Sequence, residues 1–134
     1  MACALDATIQ AGDFAGGFER WYADDVVMCE IGGPETVGKE RNRARESAFF
    51  RAISQLDARL LGVAADGDTS YSEWELRLHF RTGRTFELRQ IAARRWRDDL
   101  VLRETFYRVP FPSWMIDEIR AASTDGLGTG QGRD

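Results

Sequence analysis

Strong metal ligands are scarce in this sequence, which has one histidine and two cysteines. His79, Cys3 and Cys29 show no paired-ligand spacing, and no Asp-rich loop of the calcium type occurs, so neither a metal nor a cofactor is expected. Ser/His/Asp and Cys/His hydrolase motifs are missing, and no Gly-rich phosphate loop follows a strand. No apolar run approaches the length of a membrane span. The N-terminus also lacks the basic start and apolar block of a secretory leader. Nothing supports a bridge between a terminal Cys3 and a strand Cys29, so reduced thiols in a cytoplasmic protein are expected. Cys29 reads as a small core residue, since no histidine stands near it. Positive charge is not in excess either: 18 Lys and Arg oppose 22 Asp and Glu, for a net charge of −4. That lacks the basic footprint of nucleic-acid binding. Arg41, Arg43 and Arg45 form a local cluster, read as a solvated helix face.

What is present fits one domain of 134 residues with a real core. Residues 1–122 are read as that domain and the Gly-rich 123–134 as a flexible tail. Leu5, Ile9, Phe14, Phe18, Trp21 and Tyr22 give a helical stripe broken at Ala11-Gly12-Asp13, where Asp13 can cap the second piece. This aromatic stripe is either plain core or one wall of a ligand cavity. A β-branched strand follows at 26–31, then the turn Gly32-Gly33-Pro34. An amphipathic helix is predicted over about 38–54, with Ala44, Ala48, Phe49, Phe50 and Ile53 inward. From Gln55 the period changes to 2. Strands are predicted at 56–65, 70–80, 84–96 and 100–109, with hairpin turns at Asp66-Gly67-Asp68, Thr82-Gly83 and Asp98-Asp99. Helices first and strands afterwards indicate an α+β architecture on an antiparallel sheet. A short last helix starts at Pro112 or Ser113 and runs through Ala122.

Two acids break the apolar pattern. Glu30 is in phase with Val26 and Met28, and Glu104 is in phase with Leu102 and Phe106. A Glu on the apolar face of a half-buried strand is an anomaly. If both faces point inward, desolvation raises the affinity of each carboxylate for a proton, as acid–base work near neutral pH requires. Alternatively, a bulge breaks the phase, or Arg89 or Arg103 neutralises one of them. Gln90 continues the Phe86 and Leu88 face and can orient a ligand through its amide, unless a bulge turns it outward. Trp74, with Leu76, Leu78 and Phe80, shares the inward face of its strand. His79 falls on the opposite, polar face with Glu73, Glu75 and Arg77.

Several short stretches together resemble the nuclear-transport-factor-2-like superfamily, and within it the SnoaL-like and ketosteroid-isomerase-like proteins. They are Ala11-Gly12-Asp13-Phe14, Trp21-Tyr22-Ala23-Asp24-Asp25-Val26-Val27, Gly38-Lys39-Glu40, Glu73-Trp74 and Arg103-Glu104-Thr105-Phe106-Tyr107. The resemblance implies a curved antiparallel sheet wrapped around N-terminal helices into a cone, an apolar pocket at its open end, and a homodimer through the sheet. It places Glu30 where isomerase-like members carry a general base. Leu5 and Ala92 stand where those members carry their oxyanion-stabilising pair. Epoxide-hydrolase-like members carry an acid on the last strand, in a context that Arg103-Glu104-Thr105-Phe106 resembles. Of their accompanying Arg–Asp pair, Glu73 and Arg77 are the nearest counterparts.

Two functions follow as expectations. One is an isomerase, cyclase or hydratase of polyketide-cyclase type, with Glu30 and Glu104 as catalytic carboxylates. Phe18, Tyr22, Phe50, Trp74, Leu88, Gln90 and Phe106 would then hold an apolar small molecule. The other is a non-catalytic module that uses the same cone to hold a ligand or a protein. Phe50, Trp74 and Phe106 filling the pocket would favour a partner-binding role. Neither nucleic acid nor membrane is an expected partner.

Overall fold

The computed structural model describes residues 2–127. Helices α1 (Ala2–Gln10) and α2 (Phe14–Trp21) lead into strand β1 (Tyr22–Glu30), the short β2 (Thr36–Val37) and helix α3 (Lys39–Arg51). Strands β3 (Ile53–Asp66), β4 (Thr69–Phe80), β5 (Thr85–Arg97) and β6 (Leu100–Tyr107) follow, and then α4 (Ser113–Leu127). Among the described residues the strands form one curved, unclosed sheet in the order β2-β1-β6-β5-β4-β3.

The period-2 stretch folds as three consecutive antiparallel hairpins. Gly67 takes the left-handed conformation (φ 62°) in the first turn. The third turn puts two non-glycine residues, Asp98 (φ 52°) and Asp99 (φ 66°), in that region. Such a primed turn suits the right-handed twist of its strands, but each Cβ makes it costly.

One junction lies outside any hairpin pattern. Strand β1 pairs parallel with β6, with Met28 opposite Glu104 and Glu30 opposite Phe106. A parallel neighbour needs a long crossover, so local turn signals cannot reveal it. The sheet is therefore mixed rather than wholly antiparallel. This register places the two pattern-breaking acids on adjacent strands of one face.

The helices are fixed by specific polar contacts. Asp13 caps α2 by accepting from the Gly16 N–H at 2.9 Å, satisfying a donor the helix start leaves free. Lys39 Nζ donates to the Glu19 and Tyr22 carbonyls, both at 2.8 Å, where α2 ends. Asn42 is buried, and its amide donates to the Thr36 and Gly38 carbonyls at 3.0 and 2.9 Å. It ties α3 to the β1–β2 edge. Helix α3 ends at Arg51, so Ile53 belongs to β3, and Ala44 is exposed rather than inward. Helix α4 extends five residues past the expected domain end at Ala122; residues 128–134 of the expected tail lie outside the described residues.

Two apolar clusters flank the centre of the cone. Leu5, Phe18, Tyr22, Val26, Met28 and Val101 form one, where the α1–α2 pair meets β1 and β6. Ala52, Ile53, Leu78, Phe80, Leu88 and Met115 form the other, beneath α4. Fully burying a side chain such as Leu5 or Met115 contributes about 1.5–3 kcal/mol.

Candidate functional site

A cavity of about 420 Å³ lies between the clusters, within the range of about 300–1,000 Å³ usual for small-molecule sites. All nine residues singled out from the sequence line it: Phe18, Tyr22, Glu30, Phe50, Trp74, Leu88, Gln90, Glu104 and Phe106. Phe50, Trp74 and Phe106 therefore wall the space rather than fill it. Ile116 and Ile119 of α4 close one side. The sheet alternation brings Met28, Glu30, Trp74, Leu78, Leu88, Gln90 and Glu104 inward, as a concave face requires.

Beneath the cavity is a polar network that the sequence reading missed. Arg94 is 1% exposed and sits between Asp6 at 0% and Glu104 at 1%. Its Nε donates to Glu104 Oε2 at 2.7 Å and its Nη1 to Asp6 Oδ1 at 2.8 Å. Ser72 Oγ donates to Asp6 Oδ2 at 2.5 Å, and the Tyr22 hydroxyl donates to Glu104 Oε1 at 2.7 Å. Each Glu104 oxygen therefore accepts a bond. Burial opposes the charge of Arg94, yet the surrounding acidic groups outweigh it and hold the guanidinium above its ordinary value. Burial and the neighbouring Glu104 charge push the Tyr22 phenol well above 10. The partner of Glu104 is thus Arg94; Arg103 pairs with Glu35, and Arg89 with Glu75 on the outer face.

A second group occupies another part of the wall. Arg108 Nη2 donates to Glu30 Oε2 at 2.5 Å and Nη1 to Gln90 Oε1 at 2.6 Å. Its guanidinium carbon lies 4.3 Å from the Phe111 ring centre and 5.1 Å from that of Phe106. The Arg108 side chain is 7% exposed and that of Glu30 34%. Burial lowers the pKa of Arg108.

Glu46 is the third carboxyl on the cavity and differs from the others. It lines the wall from α3 and forms no hydrogen bond or ion pair among the described residues. Burial, reinforced by the charge of Glu104, raises its pKa from 4.5 to about 7, while Arg45 and Arg108 pull it down. Its helical spacing to Asn42, Phe49 and Phe50 was the available signal, because positions three and four apart share a face. The cluster at Arg41, Arg43 and Arg45 masked it. Arg41 and Arg43 are exposed as expected, and Arg43 pairs with Glu19 at 2.6 Å. Arg45 is also exposed but lines the cavity rim.

The polar side of β4 points away. Glu73 and Arg77 lie on the outer face, and His79 Nε2 is 2.9 Å from Asp57 Oδ2 there. The buried Arg–Asp pair is Arg94–Asp6, not a pair built from Glu73 and Arg77. Both cysteines are free, Cys29 buried and Cys3 exposed. Among the described residues no group of three or more His, Cys, Asp or Glu could hold a metal ion. No helix there is long and apolar enough to cross a membrane.

A mixed sheet coned around helices, with an acid-bearing cavity inside, defines the nuclear-transport-factor-2-like architecture. The SnoaL-like domain family matches residues 4–104, and the chain belongs to that family. Solved structures agree on the fold. A protein from Mesorhizobium loti, named for the SnoaL-like polyketide cyclases, is 21% identical, with 79% of this chain and 94% of that one covered and a TM-score of 0.68. A protein with a ketosteroid isomerase-like fold from Catenulispora acidiphila, in complex with trimethylamine, is 15% identical, with 78% and 82% covered and a TM-score of 0.67. TerC, co-crystallised with polyporic acid, is 15% identical, with 88% and 93% covered and a TM-score of 0.66. No curated protein matches the chain.

Proposed function

We propose that this SnoaL-like protein holds a flat, largely apolar, carbonyl-bearing molecule and moves a proton on it, as an isomerase or cyclase does. The observation that carries this reading is an unpaired carboxyl, Glu46, on the wall of an apolar hollow that also receives Glu30 and Glu104. In the proposed step, the Glu46 carboxylate takes a proton from carbon beside the carbonyl. The C–H bonding pair becomes a carbon–carbon double bond as the carbonyl π pair moves onto oxygen. The resulting Glu46 acid then returns the proton to another carbon of the same molecule as the carbonyl re-forms. A group half protonated near neutrality suits both halves, and one positioned base is typically worth about 10²–10⁴ in rate. Glu30 and Glu104 have supporting parts here, because each is already engaged by an arginine, Arg108 and Arg94 respectively. That moves the proton-transferring role from the acids expected from the sequence to a neighbour on the same cavity.

The test is α-proton exchange of bicyclic ketones in D₂O, followed by NMR. The wild type is expected to catalyse exchange, and Glu46→Gln to lose at least about 10²-fold. Loss in Glu30→Gln, with Glu46→Gln fully active, would return the base to Glu30. Ligand binding without any exchange would identify a binding module instead.

A second reading rests on the Asp6–Arg94–Glu104 arrangement, in which a carboxylate on the cavity is held by a buried arginine. There Glu104 would activate water for addition to the guest, and Glu104→Gln would abolish hydration while leaving exchange intact. For the assembly, we infer a homodimer through the outer sheet face. Tyr71, Ile91 and Tyr107 are exposed there, with Ile91 directly opposite Tyr107. Sedimentation at monomer mass would overturn that inference.

A further inference from the structure

We propose that the cavity also takes protonated amines, with an apolar, ring-sized body seated among the aromatic walls and its ammonium group paired to the Glu46 carboxylate. This rests on the reading of the cavity as a small-molecule site, but not on the proton transfer proposed for it. An amine held in this way would occupy the base and stop that transfer.

Glu46 is both unpartnered and reachable. It forms no hydrogen bond or ion pair among the described residues, yet neither of its carboxyl oxygens is sealed away from the cavity it lines. The two buried arginines nearby are committed elsewhere. Arg108 is held by Glu30 and Gln90, and Arg94 by Glu104 and Asp6. Arg45 adjoins Glu46 in sequence, but consecutive helical residues do not face each other. Its Nη1 donates instead to the Thr36 hydroxyl at 3.3 Å.

The buried charges leave a negative excess. Asp6 and Glu104 share the single cation of Arg94, whereas Glu30 and Arg108 balance one another. Arg45 and Arg120, the other cations on the wall, are exposed to solvent and screened by it. The excess is felt at Glu46, where the Glu104 charge adds to burial in favouring the protonated acid, against the pull of Arg45 and Arg108. A cation beside Glu46 relieves both effects, because it pairs with the carboxylate and answers the charge behind it.

The rings beside Glu46 suit the same guest. Phe49 and Phe50 follow it by three and four positions and so share its helix face. Phe50 packs against Phe14, with ring centres 5.3 Å apart. All three rings line the cavity, and among the described residues none has a protein cation over its face. Such faces attract ammonium ions, most strongly where water is excluded.

The experiment compares 1-naphthylmethylamine with 1-naphthalenemethanol, two probes of similar shape, one cationic and one neutral. Binding is followed by calorimetry across pH, in two buffers of different ionisation heat. The titratable and charged groups around Glu46 are Tyr22 and Glu30 of β1, Glu104 of β6, Arg108 beyond it, Arg45 of α3 and Arg120 of α4. Near pH 8, above the Glu46 pKa of about 7, the amine is expected to bind at least about tenfold more tightly than the alcohol. Near pH 5 the acid holds its proton, and the preference should shrink to about twofold or less. Near neutrality the amine should displace part of a proton, seen as a binding heat that differs between the buffers; the alcohol should displace none. Glu46→Gln should remove the preference and the proton release while leaving alcohol affinity within about twofold. The wild-type pH dependence decides the matter even if the variant folds poorly. Equal affinities near pH 8, a preference that persists near pH 5, or one that survives Glu46→Gln would overturn the proposal. Alcohol binding without an amine preference sinks this inference alone. If neither probe binds, the small-molecule reading of the cavity falls with it.

Discussion

Replacing Glu46 by glutamine separates the cost of a desolvated acid from its use. The side chain keeps its shape and loses its charge. Burial and Glu104 raise the Glu46 pKa from 4.5 to about 7, so the folded chain holds this proton more tightly than the unfolded chain does. Below the lower value both states are protonated, and the residue adds no pH dependence. As pH rises between the two values, the unfolded chain releases the proton first, and stability falls. Above the higher value the loss is complete. At about 1.4 kcal/mol per pH unit, the interval corresponds to roughly 3 kcal/mol. Glu46→Gln should therefore be about 3 kcal/mol more stable than the wild type near pH 8 and nearly equal to it near pH 4. With a urea dependence of about 2 kcal/mol per molar, the midpoint moves up by about 1–2 M at the higher pH only. Urea denaturation followed by circular dichroism at both pH values measures this. An equal gain at the two, or none at the higher, would refute the claim that the carboxyl is held against its charge. Combined with lost proton exchange, the gain would mark a residue kept for chemistry at the expense of stability.

Other substitutions probe the frame. Arg94→Met leaves two buried carboxylates without their cation and should cost about 3–5 kcal/mol in urea denaturation, far more than an exposed ion pair is worth. Tyr22→Phe removes the donor to Glu104 and should cost about 1–3 kcal/mol. In the wild type, near-UV absorbance during alkaline titration should show Tyr22 ionising only with unfolding. Replacing Asp98-Asp99 by Asn-Gly fits the left-handed turn between β5 and β6 and should add about 0.5–1 kcal/mol, read as a higher melting temperature.

The long strands were legible because one face of each packs on the interior. Trp74, Leu76, Leu78 and Phe80 carry a clean two-residue period, and the same phase exposed Glu30, Gln90 and Glu104 as residues turned inward. Arg94 has that phase as well, two positions beyond Ala92, but an arginine in a run of arginines reads as surface until its partners are known. One of them, Asp6, lies 88 residues away, and no local pattern links the two. Glu46 could have been found, since its spacing to Asn42 and Phe50 is helical, yet its neighbouring arginines set the reading of that helix. Arg108 falls inside the strand predicted over 100–109 and keeps the phase of Glu104 and Phe106, though β6 itself ends at Tyr107, and an arginine there reads as solvated. The parallel contact of β1 with β6 was hidden for the same reason as Asp6: it joins the two ends of the domain.

That joining has a consequence for synthesis. As the chain leaves the ribosome, Tyr22–Glu30 is made long before Leu100–Tyr107, its neighbour in the finished sheet. Until then, the nascent N-terminal half carries Asp6 without the cation that later neutralises it, and a strand edge open to strangers. A translation pause before residue 107 would prolong that exposure, and a chaperone that shields the early strand would shorten it.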